Sequence, residues 1–158
     1  MEKLGIQIIQ LSRERIRCPL TSDVIHFGKQ VGDRTGIISV RYGKRMLSTA
    51  TPLPLDKLTQ DVFVEVVDYD PVKNGLMFIG EQQPDVQVAI HWILLTVRED
   101  VNVLVHLHKE RGGVTTPLER AKMILGSIKG DGHVFKEKEE SLLLGKGFAD
   151  VIKMMEEM

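Results

Sequence analysis

The sequence predicts an α+β fold, a largely antiparallel central sheet covered by helices. Strand-like segments come in neighbouring pairs around turn residues, helical stripes are interspersed among them, and the regular strand–helix alternation of a parallel sheet is absent. With 158 residues, 42% of them hydrophobic and 27% charged, the composition is that of ordinary globular proteins, and residues 1–158 are expected to form a single domain with a sizeable core.

The elements follow in order. Leu4, Ile8, Leu11 and Ile16 lie close to one face of a helix, which predicts a helical start. Ser22 can cap a second helix carrying Val24, Phe27 and Val31. "IISVRYGKRMLSTAT" reads as two short strands around Gly43, and "DVFVEVVDYD" with "GLMFIG" as another pair around "PVKNG". Pro84 can open a helix whose buried stripe is Val86, Ile90, Ile93, Leu94 and Val97, with Gln87 and His91 together on one side. A strand, "VNVLVHLH", follows. Thr116, Pro117 and Glu119 have the spacing of a capping box with proline at the first helical position, and Gly130 can end that helix. "SLLLG" then reads as a buried strand, and Phe148, Val151, Ile152 and Met155 as the inner face of a closing helix.

Charge and cysteine content narrow the function classes. With 21 basic against 22 acidic residues the formal charge is −1, so no electrostatic footprint for nucleic acid or an anionic membrane is expected. Neither a secretory leader nor 18 consecutive apolar residues can be read from the sequence, and Cys18 is the single cysteine, which precludes an internal disulfide or a thiolate zinc cluster. A cytoplasmic protein is expected.

The chemistry centres on two histidines. A strand sends alternate side chains to one face, so His106 and His108 share a side with Leu104, their backbones roughly 7 Å apart by strand rise. Imidazoles so placed can converge on one cation, and a zinc centre that does chemistry typically needs a third protein ligand beside a water or substrate oxygen. Histidines satisfied within a pocket wall are the alternative reading of the same spacing.

The stretch "QPDVQVAIHWILLTVREDVNVLVHLH" resembles the class II aldolase/adducin family, in which a helix leads to a strand carrying two zinc-binding histidines. "GDRTGIISVR" and "RMLSTATPLPLDKLTQDVFVEV" look like the family's glycine–isoleucine–serine strand and phosphate loop, and "SLLLGKGFADVIKMMEE" like its last strand and helix. The resemblance runs from about Phe27 onward and implies a three-layer αβα fold, a cytoplasmic homo-oligomer such as a tetramer, and a zinc-dependent lyase that cleaves a carbon–carbon bond in a sugar or sugar-phosphate-like substrate. By position it makes His106 and His108 metal ligands, with Glu139 in the third place and His133 and His26 as substitutes outside the family context. It assigns the catalytic acid/base position to Gln87, an amide that cannot take up a proton as a carboxylate does. It places Gly36, Ser39, Ser48 and Thr49 around the substrate, but Ile37 and Thr51 stand where the family has asparagine and glycine, which weakens phosphate recognition. The same losses fit a second possibility, an adducin-like binding or assembly domain without aldolase activity.

Overall fold

The computed structural model describes residues 6–108, 116–128, 132–137 and 140–157. Strands β1 (Gln7–Ser12), β2 (Thr35–Tyr42), β3 (Arg45–Thr49), β4 (Leu53–Pro54), β5 (Phe63–Asp70), β6 (Gly75–Ile79), β7 (Val103–His108), β8 (Val134–Glu137) and β9 (Glu140–Gly145) form one sheet. Its order is β1-β6-β5-β3-β2-β7-β9-β8, with β4 paired to β2. The pairings are antiparallel except β1 with β6. Helices α1 (Leu20–Val31), α2 (Val86–Val97), α3 (Pro117–Ile128) and α4 (Phe148–Glu156) cover it. Among the described residues no helix is long and apolar enough to cross a membrane.

Alternation along the strands builds two cores. On one face Ile37, Met46, Leu104, Leu142 and Leu144 meet Val88, Ile93 and Leu94 of α2 and Ala121 and Ile124 of α3. On the other, Ile38, Leu47, Val103, Val105 and Leu143 meet Val24 and Phe27 of α1 and Val151 of α4. The result is a three-layer α/β/α molecule, as the paired strands and interspersed helical stripes predict.

Local chemistry fixes several ends. The Asp85 side chain accepts the Gln87 backbone N–H at 3.1 Å and starts α2. At α3 the capping box closes both ways: Thr116 Oγ1 accepts the Glu119 N–H at 3.2 Å, and a Glu119 carboxylate oxygen accepts the Thr116 N–H at 3.4 Å. Gly130, expected to end α3, lies outside the described residues. Arg41 of β2 folds over the end of α2, where its Nη2 donates to the carbonyls of Leu95, Val101 and Arg98 at 2.6, 2.8 and 3.1 Å. Those are the orphan carbonyls that a helix terminus and its following turn must satisfy.

Two elements depart from expectation. The helix expected at the start is replaced over Gln7–Ser12 by a strand, because pairing with β6 in parallel register, Ile8 with Leu76 and Gln10 with Phe78, overrides a helical spacing that rests on only four residues. Strand β8, hidden in the charged run "VFKEKEE", pairs with β9 and buries Phe135.

Candidate functional site

The polar residues on the α2/α3 face of the sheet join in one buried row. β2 and β3 pair Ser39 with Ser48, and their hydroxyls lie 2.9 Å apart. From α2, His91 brings Nδ1 to 2.6 Å from the Ser39 hydroxyl. Its Nε2 lies 3.0 Å from Nδ1 of His106 on β7. The His106 Nε2 lies 2.9 Å from a carboxylate oxygen of Glu140, at the start of β9. Arg120 of α3 holds the other oxygen of Glu140 and reaches Glu137 at 3.3 Å. Ser39 and His91 have no exposed surface, and His106 has 1%.

The donors and acceptors fix the Glu140 end of the row. A carboxylate only accepts, so Glu140 takes the proton on His106 Nε2, and the charge-assisted contact with Arg120 anchors that end. Whichever way the next two protons run, one hydrogen bond joins His106 Nδ1 to His91 Nε2 and another joins His91 Nδ1 to the Ser39 hydroxyl. Polar groups buried this deeply need such a closed set of partners, because each unsatisfied one would cost about 1–3 kcal/mol.

This geometry bears on the metal that the resemblance implies. A ligating imidazole must present an unshared nitrogen lone pair, whereas in His106 one nitrogen gives its proton to Glu140 and the other is hydrogen-bonded to His91. The arrangement around His106 therefore does not fit a cation without the loss of one of these bonds. Among the described residues no group of three histidine, cysteine, aspartate or glutamate side chains is placed to hold a metal ion. The His108 side chain and Glu139 lie outside the described residues, although the His108 backbone pairs with Glu140. His26 is exposed on α1, and His133 places Nδ1 3.1 Å from the Leu144 carbonyl.

The residues assigned to substrate are interior. Ser48 Oγ also lies within donating distance of the Thr49 carbonyl, at 2.9 Å, and Thr49 Oγ1 accepts the Ile38 N–H at 3.1 Å. Ser39, Ser48 and Thr49 have no exposed surface. Gly36 serves strand packing: a Cβ there would sit 2.3 Å from the His106 carbonyl oxygen, so only glycine lets β2 lie this close to β7. Gln87 sits one helical turn before His91, and its Oε1 is buried without a hydrogen-bond partner among the described residues.

His91, Arg120 and Glu140 are the members of the row that the sequence assignment leaves out. Glu140 has the alternation of Leu142 and Leu144, which points it into the core, where a carboxylate demands a partner. That parity is the available signal.

Comparison with known proteins places this arrangement in a family. The model of the class II aldolase and adducin N-terminal domain matches residues 26–151. No curated protein matches the sequence. Among solved structures, an L-fuculose 1-phosphate aldolase is similar at TM-score 0.66 and 14% identity, over 90% of this chain and 82% of that one. YgbL from Escherichia coli, described as a putative aldolase/epimerase/decarboxylase, is similar at TM-score 0.65 and 14% identity, over 87% and 84% of the two chains. The L-fuculose-1-phosphate aldolase of Thermus thermophilus gives 0.60 and 13%, over 89% and 90%. At such identities the likeness to these structures is one of fold, while the family model spans most of the sequence. The chain belongs to the class II aldolase and adducin N-terminal domain family.

Proposed function

We propose that this chain uses the class II aldolase/adducin scaffold for binding or assembly, without metal-assisted carbon–carbon cleavage. One observation carries the reading: both ring nitrogens of His106, at the family's metal-ligand position, are engaged by His91 and Glu140 inside the protein. Two others support it. Gln87 at the acid/base position is an amide, and the hydroxyls of Ser39, Ser48 and Thr49 are buried in contacts with the protein itself.

The zinc-dependent lyase with a sugar or sugar-phosphate-like substrate is the second reading, with His106, His108 and Glu139 as ligands. What favours it is the approach of His91 Nε2 and His106 Nδ1 to 3.0 Å, each ring being oriented by a partner on its far nitrogen, as metal-binding histidines commonly are. Zinc would supply Lewis-acid stabilisation of a developing oxyanion.

Turnover separates the two. The purified protein, incubated with zinc, manganese or cobalt and a panel of ketose phosphates and free ketoses, is expected to release no aldehyde above a heat-denatured control. Aldehyde release that is abolished by a chelator and by His106→Ala would overturn the proposal in favour of the lyase.

A further inference from the structure

The end of α2 far from Gln87, roughly 12 Å away along the helix axis by rise per residue, borders a second group of polar side chains. Trp92, Leu95 and Thr96 share a face of the helix by their spacing of three and four, and this face meets the β2–β3 hairpin. Tyr42 pairs with Arg45, so the turn holds only Gly43 and Lys44, and Gly43 takes the φ of +61° that a two-residue hairpin turn needs at its first position. That tight turn fixes where Lys44 and Arg45 begin. Between helix and hairpin lies a cleft of about 60 Å³, lined chiefly by Arg41, Lys44, Arg45, Met46, Trp92 and Leu95. Pockets for drug-sized ligands run to roughly 300–1,000 Å³, so only a compact group fits this one.

The lining offers donors without acceptors. The Arg41 guanidinium is pinned: its Nε donates to the Asn102 side-chain oxygen at 3.1 Å and the Val101 carbonyl at 3.3 Å, while its Nη2 serves the carbonyls at the end of α2. Among the described residues its Nη1 meets no acceptor, and neither do the Lys44 ammonium and the Trp92 indole N–H. Neither Nη1 nor the indole nitrogen is sealed in the interior. The charge of Arg45 is met by Glu65, and among the described residues no carboxylate lines the cleft. Because Arg41 already covers the last carbonyls of α2, the negative end of that helix does not repel an anion here.

We propose that this cleft binds a small aliphatic monocarboxylate. The carboxylate accepts from Arg41 Nη1, Lys44 Nζ and the Trp92 indole N–H, and the hydrocarbon tail lies against Met46 and Leu95. Since Nε and Nη2 hold the guanidinium in place beforehand, binding orders little besides the exposed Lys44 side chain. A phosphate brings more oxygens and more charge than one guanidinium nitrogen, one ammonium and one indole N–H can answer. The cleft stands apart from the His106 row, so the inference goes beyond the proposed function and does not rest on it.

Trp92 is the only tryptophan, and its single indole N–H resonance reports on the cleft. Titration of the isotope-labelled full chain with butanoate, at constant ionic strength, is expected to move that resonance along a saturating curve with a midpoint at least tenfold lower than for butanamide. Lys44→Glu, a change at an exposed turn position, is expected to raise the butanoate midpoint at least fivefold, and Lys44→Arg to leave it within twofold. Lys73→Glu, the same charge change in the β5–β6 turn, is expected to leave it where it was. A linear drift without saturation, equal midpoints for acid and amide, a Lys44→Glu effect matched by Lys73→Glu, or tighter binding of inorganic phosphate than of butanoate would each overturn the inference. None of these outcomes touches turnover, so the proposed function stands or falls separately.

Discussion

At the scale of single residues, the row from Ser39 to Arg120 is where a substitution has most effect. His106→Ala strips a hydrogen bond from both His91 and Glu140 in the interior, while Arg120 still holds the carboxylate, and each lost bond is expected to cost about 1–3 kcal/mol. Arg45→Ala, which breaks the exposed pair with Glu65, is expected to cost less than about 1 kcal/mol. Urea denaturation of the two variants checks the contrast, and equal losses would show that the row contributes no more than a surface pair. Gln87 runs the other way. Its Oε1 is buried with no partner among the described residues, so Gln87→Leu removes a desolvated acceptor and is expected to leave stability unchanged or raise it by about 1 kcal/mol. The same residue scale shows the limit of reading sequence. The pair His106 and His108 stands out by its spacing, but the carboxylate that meets His106 is that of Glu140, which the resemblance does not assign; Glu139 lies outside the described residues. The parity of Glu140 with Leu142 and Leu144 is visible in the sequence; the contact of His91 with His106 is not, because a meeting across 15 residues depends on how α2 lies on the sheet.

At the scale of elements, what is legible is what local chemistry decides. The capping box at Thr116 and Glu119 and the β2–β3 and β5–β6 hairpins follow from short-range patterns and form as read; the α2 stripe is buried at Ile90, Ile93 and Leu94, whereas Val97 at its end is 57% exposed. β1 and β8 escape such patterns, since both acquire their conformation from a neighbouring strand and neither has a strong periodicity of its own. The contact of β2 with β7 can be tested through its glycine. Gly36→Ala forces a methyl against the His106 carbonyl, whereas a Cβ at Gly126 of α3 meets nothing within 4 Å. The first substitution is expected to unfold the protein or lower its Tm steeply, and Gly126→Ala to stabilise it by about 0.5–1 kcal/mol through helix propensity. Thermal melts of both variants decide it. The turn between α2 and β7 carries a pH-dependent contact: the Arg98 guanidinium holds the Asp100 carboxyl down at about 2, against an ordinary 3.8. Because the folded value is the lower one, this contribution is present above pH 3.8 and fades as the pH falls toward 2. Asp100→Asn is therefore expected to destabilise slightly at pH 7, by less than about 1 kcal/mol given its exposure, and not at all near pH 2. A penalty that persists in acid would contradict this.

At the scale of the whole molecule, fold and family are readable because they are distributed over many positions. Paired strands, interspersed helices and the matched stretch from residue 26 to 151 all agree. Chemistry is concentrated in a few side chains, so a small number of changes can convert a site while the scaffold stays. Here His106, which the resemblance would make a metal ligand, is the centre of a buried hydrogen-bonded row that ties α2, β7, β9 and α3 together. The same imidazole cannot hold a cation and keep both of these partners. Elemental analysis of the wild-type chain and His106→Ala, each exposed to excess zinc and then dialysed, tests this most directly. Well under one zinc is expected to remain per wild-type chain, with no difference between the two proteins; one zinc per wild-type chain, lost on His106→Ala, would show that the imidazole holds a cation.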